Sequence, residues 1–182
     1  GKSMDNRISV YILEQVLQLF KDKKPAFDLY AVFTVQEEVG LRGAQVSAQA
    51  IEPDVSIGLD TTIAYDTPGS QPQEQVSKLG DGVAIKIMDA SVISDLRMVE
   101  FFKNKAKKHN IKYQTEMLPA GGTDTGSLQR MVKGGSIAGA LSIPTRHIHQ
   151  VIESVHQQDV LNTINLLYFS LLELDQLKMD YS

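Results

Sequence analysis

The sequence has 182 residues, of which 42% are apolar, so the chain can build one domain with a real hydrophobic core. Its formal net charge is -4, no lysine and arginine run resembles a phosphate-binding stripe, and no apolar stretch approaches the roughly 20 residues that span a bilayer. We therefore expect a soluble protein without nucleic-acid or membrane partners. The absence of cysteine excludes disulfides and thiolate metal sites, and it is compatible with a cytoplasmic protein.

The first third of the chain alternates predicted helices and strands. Apolar residues at helical spacing predict a helix over 8–20, and a near-continuous apolar run predicts a buried central strand over 29–35. A small-residue helix over 44–50 follows, and then a second buried strand over 55–59 that ends at Asp60.

The same alternation continues to the carboxyl terminus. Strands are predicted over 83–88, 112–117 and 136–143, with a helix over 95–109 between the first two. A last helix carries an apolar stripe, and Asp159 is its expected N-cap. The pattern predicts a single α/β domain, a three-layer α/β/α sandwich around a mainly parallel sheet.

Acidic residues stand beside these apolar segments. Glu37 and Glu38 follow the strand predicted at 29–35, Asp60 follows the next strand, and Asp5 precedes the first helix. An ionised carboxylate next to a buried segment is costly unless it binds a metal ion or another partner. Ligands gather at the carboxyl ends of parallel strands, so this repeated placement indicates a binding site.

Each candidate also has an ordinary structural interpretation. Glu37 and Glu38 could form a solvated loop or an acidic helix start, and Asp60 could belong to a turn. Asp5 could cap the first helix. A single histidine such as His149 is more often a satisfied surface or core residue than a metal ligand. Taken one at a time, these residues leave both interpretations open.

Five strings in the sequence, SMDNR, TVQEEVGLRGA, PDVSIGLD, GGTDTG and SIPTRHIH, resemble the tetrahedral aminopeptidases in their order and spacing. This family of cytosolic dinuclear metallopeptidases includes glutamyl aminopeptidases and members named cellulases. The resemblance runs through nearly the whole chain, but it covers only the carboxyl-terminal half or so of a typical member. It implies a zinc-peptidase-like catalytic domain whose amino-terminal part is missing.

The resemblance also implies a role for each candidate residue. Asp5 would bridge two divalent ions, Zn2+ or Co2+, and Glu38 and His149 would be the other protein ligands of one ion. Asp60 would bind the second ion, together with an upstream histidine that the chain lacks. Glu37 would be the general base for a hydroxide that bridges the two metals.

The glycine-rich loop ahead of the short helix has two interpretations. Its backbone N–H groups can bind anionic groups, or it can be a plain tight turn. By resemblance the loop lies near the active site, which implies that Gly122 and Asp124 contact the substrate.

The implied function is a metal-dependent aminopeptidase that acts on peptides and is a homo-oligomer as a complete protein, with an inserted β-rich domain that makes dimer contacts. A glycoside hydrolase is an alternative, since some relatives are named cellulases and paired carboxylates are present. We disfavour it because adjacent glutamates do not naturally face each other across a sugar. A non-catalytic fragment with an incomplete metal site is the third possibility. For these 182 residues alone, we expect that outcome rather than full activity.

Overall fold

Helices and strands alternate along the chain in the computed structural model, which describes residues 1–180. The helices are α1 (Met4–Leu19), α2 (Arg42–Ile51), α3 (Leu96–Lys108), α4 (Asp124–Arg130) and α5 (Gln157–Leu172). The strands are β1 (Val55–Ile63), β2 (Val83–Met88), β3 (Tyr113–Met117), β4 (Ile137–Arg146) and β5 (Ser154–Val155). Within this described part, no helix combines the length and the apolar character needed to cross a membrane.

The strands form one mixed sheet in the order β1-β4-β2-β3, and β5 pairs with β4. β1 and β4 are parallel along the whole of β1, and β2 and β3 are also parallel. A short antiparallel pairing, Ala84 with Ser142 and Ile85 with Leu141, joins these two parallel halves. The predicted α/β class is confirmed, and most of the paired length is parallel as expected.

The two faces of the sheet are covered by different helices. Ile57 and Leu59 of β1 pack against the apolar core, to which α1, α3 and α5 also contribute. Ser56, Gly58 and Asp60 alternate with them and therefore lie on the opposite face. A Cβ atom on Gly58 would stand 2.0 Å from Thr125 Oγ1, so α4 packs directly on this second face. Helices on both faces give the expected three layers.

The apolar core lies between β2, β4 and the layer formed by α1, α3 and α5. Large side chains at its centre have no exposed surface, among them Ile12, Met98, Phe102 and Leu166. Burial of each such side chain contributes about 1.5–3 kcal/mol. The rigid sheet that results carries Asp60 and supports the loops of the candidate site.

The prediction of a strand over 29–35 is wrong. This segment pairs with none of the strands in the described residues, and Tyr30, Phe33 and Val35 are exposed. Strand propensity becomes a strand only where a neighbouring backbone completes the hydrogen bonds. The helix predicted over 44–50 does form, as α2.

Two strands are longer than predicted. β1 continues through Asp60 to Ile63, so Asp60 lies inside a strand and not at its end. β4 passes through Pro144 and ends at Arg146. Pro144 is tolerated because β2 pairs with β4 only as far as Ser142, so no donor is needed on that side.

The predicted N-cap of the last helix is also wrong. His156 caps α5, and its Nδ1 accepts the Gln158 N–H at 3.2 Å. Asp159 lies inside the helix with no exposed surface, and its two oxygens accept the N–H groups of Gly80 and Gly82 at 2.7 and 2.8 Å. A carboxylate in the first helical turn is favourable without being the cap.

Candidate active site

Three of the predicted site residues meet at one place on the surface. One ligand atom each from Asp5, Glu38 and His149 lies within 4.8 Å of the others. His149 Nε2 is 3.1 Å from Asp5 Oδ2 and 3.5 Å from Glu38 Oε2. Two carboxylates and one imidazole nitrogen in this arrangement form a group that could hold a divalent metal ion.

Three separate backbone features place these side chains. Asp5 lies at the start of α1 with non-helical φ and ψ angles, and the peptide bond to Asn6 is cis. Glu38 lies in the turn before α2, where the N–H groups of Gly40 and Leu41 bond to the carbonyl of Glu37. His149 follows β4 and has a φ of 63°, which is uncommon for a residue other than glycine.

Glu153 connects two of these segments through hydrogen bonds to their backbones. Its side chain is buried, and its Oε2 accepts the Asp5 N–H while its Oε1 accepts the His149 N–H, both at 3.0 Å. The sequence gives no signal for this residue, because it is a single acid in a loop without a characteristic spacing.

Asp60 and Glu37 lie beside this group and are not members of it. Burial raises the pKa of Glu37 to about 7, and the negative charges of Asp124, Glu38 and Asp5 act in the same direction. Burial, followed by the charge of Glu37, also raises the pKa of Asp60 well above its ordinary value. The acids are therefore close enough to repel one another.

The other two predicted residues have different environments. Asp124 is the first residue of α4, and its Oδ2 accepts a hydrogen bond from Thr34 Oγ1 at 2.6 Å. Its Oδ1 is buried without a hydrogen-bond partner in the described structure, and burial raises its pKa. Gly122 is exposed and lies against Ser91, since a Cβ atom there would be 3.0 Å from Ser91 Cβ.

A buried ionic cluster supports the loop that leads to Asp124. We call Lys86, Asp89 and Glu116 the lysine cluster; Lys86 Nζ is 3.4 Å from Asp89 Oδ2 and also contacts Glu116 Oε1. Asp89 Oδ2 in turn accepts a hydrogen bond from Thr123 Oγ1 at 3.0 Å. The sequence patterns did not predict this cluster, because a lysine inside an apolar strand carries no spacing signal.

The sequence model of M42 glutamyl aminopeptidases matches residues 1–166. The chain belongs to the M42 glutamyl aminopeptidase family. The resemblance in the five sequence strings is thereby confirmed.

Similar M42 proteins are known from bacteria and archaea. The chain is 43% identical over 167 residues to a putative aminopeptidase of Acetivibrio thermocellus, covering 92% of this chain and 49% of that protein. The TET aminopeptidase of Thaumarchaeota archaeon SCGC AB-539-E09 superposes with a TM-score of 0.93 at 37% identity, over 97% of this chain and 49% of that one.

A third M42 neighbour is the TET1 peptidase of Pyrococcus horikoshii, which can assemble into a tetrahedron or a large octahedral shell. Its TM-score is 0.81 at 28% identity, over 93% of this chain and 48% of that one. The chain thus spans about half the length of the M42 relatives it matches.

Proposed function

We propose that this chain is the carboxyl-terminal part of the catalytic domain of a dinuclear metalloaminopeptidase, which removes N-terminal residues from peptides. The observation that carries the proposal is the meeting of Asp5, Glu38 and His149, which come from distant parts of the chain. Membership of the M42 family supports it. Because the chain spans about half of its relatives, the activity is proposed for the whole protein.

The donor atoms fit Zn2+ or Co2+. Both ions accept imidazole nitrogen and carboxylate oxygen at about 2.0–2.2 Å, so ligand atoms within 4.8 Å of one another need only small side-chain rotations. In this assignment Asp5, Glu38 and His149 hold one ion, and Asp5 and Asp60 hold the second. We propose that a histidine outside the 182 residues completes the second set of ligands.

Each remaining group has a task in peptide hydrolysis. Bound divalent ions would supply Lewis acidity, which polarises the peptide carbonyl and lowers the pKa of water towards ~7. Glu37 would take the proton from the attacking water and return it to the leaving amine. Burial and neighbouring carboxylates raise the pKa of Glu37 to about 7 in the metal-free protein, and bound cations would lower it again and favour the ionised form that accepts a proton.

Asp124 and Gly122 are proposed to lie beside the substrate. The buried Oδ1 of Asp124 has no hydrogen-bond partner in the described structure, and a carboxylate suits the positive charge of a peptide N-terminus. The orientation of Asp124 is fixed by Thr34 through the other oxygen. Gly122 is exposed near the same helix start, and the absence of a side chain lets its backbone lie against Ser91.

The test is hydrolysis of aminoacyl p-nitroanilides by the full-length protein. Glu37→Gln should lower kcat by roughly 10²–10⁴-fold, because the proton acceptor is lost. Glu14→Gln, an exposed glutamate of α1, is the matched control and should keep full activity. Asp124→Asn in the same assay should raise KM. Wild-type turnover in Glu37→Gln would show that another residue is the base.

Chelation separates this proposal from its alternatives. A metallopeptidase should lose activity with a chelator and regain it with Zn2+ or Co2+, whereas a glycoside hydrolase would cleave cellulose with chelator present. The 182 residues alone should bind at most one ion tightly and hydrolyse no peptide. We also propose that the complete protein is a homo-oligomer, and a monomer in light scattering would contradict this.

A further inference from the structure

Glu153 is a buried carboxylate that the proposed reaction does not use. Only 2% of its surface is exposed, and no lysine or arginine in residues 1–180 forms an ion pair with it. A buried charge without a cation must be compensated by hydrogen bonds, or it destabilises the fold by several kcal/mol. Each oxygen of Glu153 instead accepts one backbone N–H group.

The two N–H groups belong to residues of the same candidate metal group. One is the N–H of Asp5 and the other is the N–H of His149, and each donor–acceptor distance is 3.0 Å. The backbone of Glu153 also pairs with the first residue, since its N–H donates to the Gly1 carbonyl at 2.8 Å. One residue thus connects the chain terminus and the start of α1 to the turn after β4.

The backbone conformation of His149 makes its hydrogen bond to Glu153 more important. Its positive φ of 63° is a strained conformation for a side chain with a Cβ atom, and such residues persist where the surroundings hold them. His149 is also 64% exposed at its side chain, so packing does little to fix it. The hydrogen bond to Glu153 holds its backbone near Asp5, in addition to the contact between the His149 imidazole and the Asp5 carboxylate.

We propose that Glu153 is a positioning residue that sets the separation of Asp5 and His149 before a metal ion binds. This inference rests on the proposed function, because it assigns Asp5 and His149 to one ion. In this assignment the carboxylate is neither a metal ligand nor a substrate contact, and each of its oxygens accepts one backbone N–H group. It acts on the metal through the backbone of the two ligands, in the way that outer-shell partners orient metal ligands.

The matched control is Asp159, another buried carboxylate that accepts two backbone N–H groups. Its donors are Gly80 and Gly82, which are not candidate metal ligands. Glu153→Gln and Asp159→Asn therefore make the same chemical change. Each replaces one acceptor oxygen by an NH2 group that opposes a backbone donor.

Two measurements on the full-length protein test the proposal. The first is the affinity for Co2+ and Zn2+ by competition with a chelator, where Glu153→Gln should lose about 10–100-fold and Asp159→Asn should match the wild type. The second is hydrogen exchange of the metal-free protein by mass spectrometry, where only Glu153→Gln should lose protection in peptides that contain Asp5 and His149. Glu153→Asp keeps the charge but shortens the side chain, so its metal affinity and its protection should lie between those of the wild type and of Glu153→Gln. This variant replaces Glu153→Gln in both measurements if Glu153→Gln does not fold.

The outcomes separate the two proposals. If the wild type binds no metal but Glu153→Gln still loses protection at Asp5 and His149, the proposed function fails while the positioning role of Glu153 stands. If Glu153→Gln or Glu153→Asp keeps wild-type affinity and protection, the positioning role is wrong. It is also wrong if Asp159→Asn weakens metal binding equally, because Glu153 would then act only through general stability.

Discussion

Two groups of acids lie on the same face of the sheet, and they differ in the groups that balance their negative charge. Strand register and alternation place Asp60 of β1 on the face that also carries Lys86 and Glu116. In the lysine cluster, Lys86 is 1% exposed, and Asp89 and Glu116 are buried around it. In the candidate site, Asp5 and Glu38 lie 3.1 and 3.5 Å from the exposed imidazole of His149.

The difference shows which charges the chain compensates by itself. Asp89 lies beside the Lys86 ammonium, which it shares with Glu116, and it accepts four hydrogen bonds, from the N–H and hydroxyl of Ser91, the N–H of Val92 and the hydroxyl of Thr123. Glu37 and Asp60 have raised pKa values because burial and neighbouring acids disfavour their charged forms. A divalent cation would supply to the candidate site what Lys86 supplies to the lysine cluster.

The largest effect on stability is expected from a substitution in the lysine cluster. Lys86→Met should lower the free energy of unfolding by about 3–5 kcal/mol, because two buried carboxylates lose their cation. Lys107→Met removes an exposed lysine of α3 and should change stability by less than about 0.5 kcal/mol. Urea unfolding of both variants measures the difference. Equal costs would mean that the lysine cluster is not held by its charges.

A smaller effect is expected when a cation is added to the candidate site. Zn2+ or Co2+ at 100 times its dissociation constant should stabilise the protein by about 2.7 kcal/mol, since the ion binds the folded state. Asp5→Asn should remove most of this gain, and Lys107→Met should keep it. Thermal unfolding with and without chelator provides the measurement. A gain of the same size in Asp5→Asn would place the ion elsewhere.

The smallest effect is a difference in pH dependence. Glu37 has a pKa raised from 4.5 to about 7 in the folded protein, so the folded state binds more protons than the unfolded chain between these values. Without metal, its contribution to stability therefore falls as the pH rises through this window. Glu37→Gln should flatten the slope of unfolding free energy there.

Glu173 is a control because its pKa is shifted in the opposite direction from that of Glu37. Burial favours a higher pKa, but hydrogen bonds from Lys105, Lys108 and His109 outweigh it and lower the pKa of Glu173 from 4.5 to about 2. Its stabilisation is present above pH 4.5 and is lost as the pH falls towards 2. Glu173→Gln should change the slope only below pH 4.5. Identical slopes for both variants would contradict the assignment of the raised pKa to Glu37.

Local patterns predicted most of the fold. The strand over 83–88 has the predicted bounds, since its pattern depends on neighbouring residues. The segment over 29–35 failed because a strand needs a partner that its own residues cannot supply. His156 replaced Asp159 as N-cap because Asp159 satisfies two glycine N–H groups elsewhere in the chain.

The candidate site was predicted from family resemblance more than from spacing. Nothing in the sequence places residue 5 beside residue 149, because their approach is a property of the whole fold. Glu153 and Lys86 were missed for the same reason: their partners are distant along the chain, and neither belongs to one of the five strings. The metal roles of Asp5, Glu38, Asp60 and His149 stay predictions until binding is measured.

The tie between Asp5 and Glu153 spans 148 residues, almost the whole chain. Closing so long a loop costs entropy that is recovered only when the intervening helices and sheet have formed. Capture of an ion during refolding should therefore come after collapse and strand pairing. The rate of metal uptake would then report the last step of folding and not its nucleation.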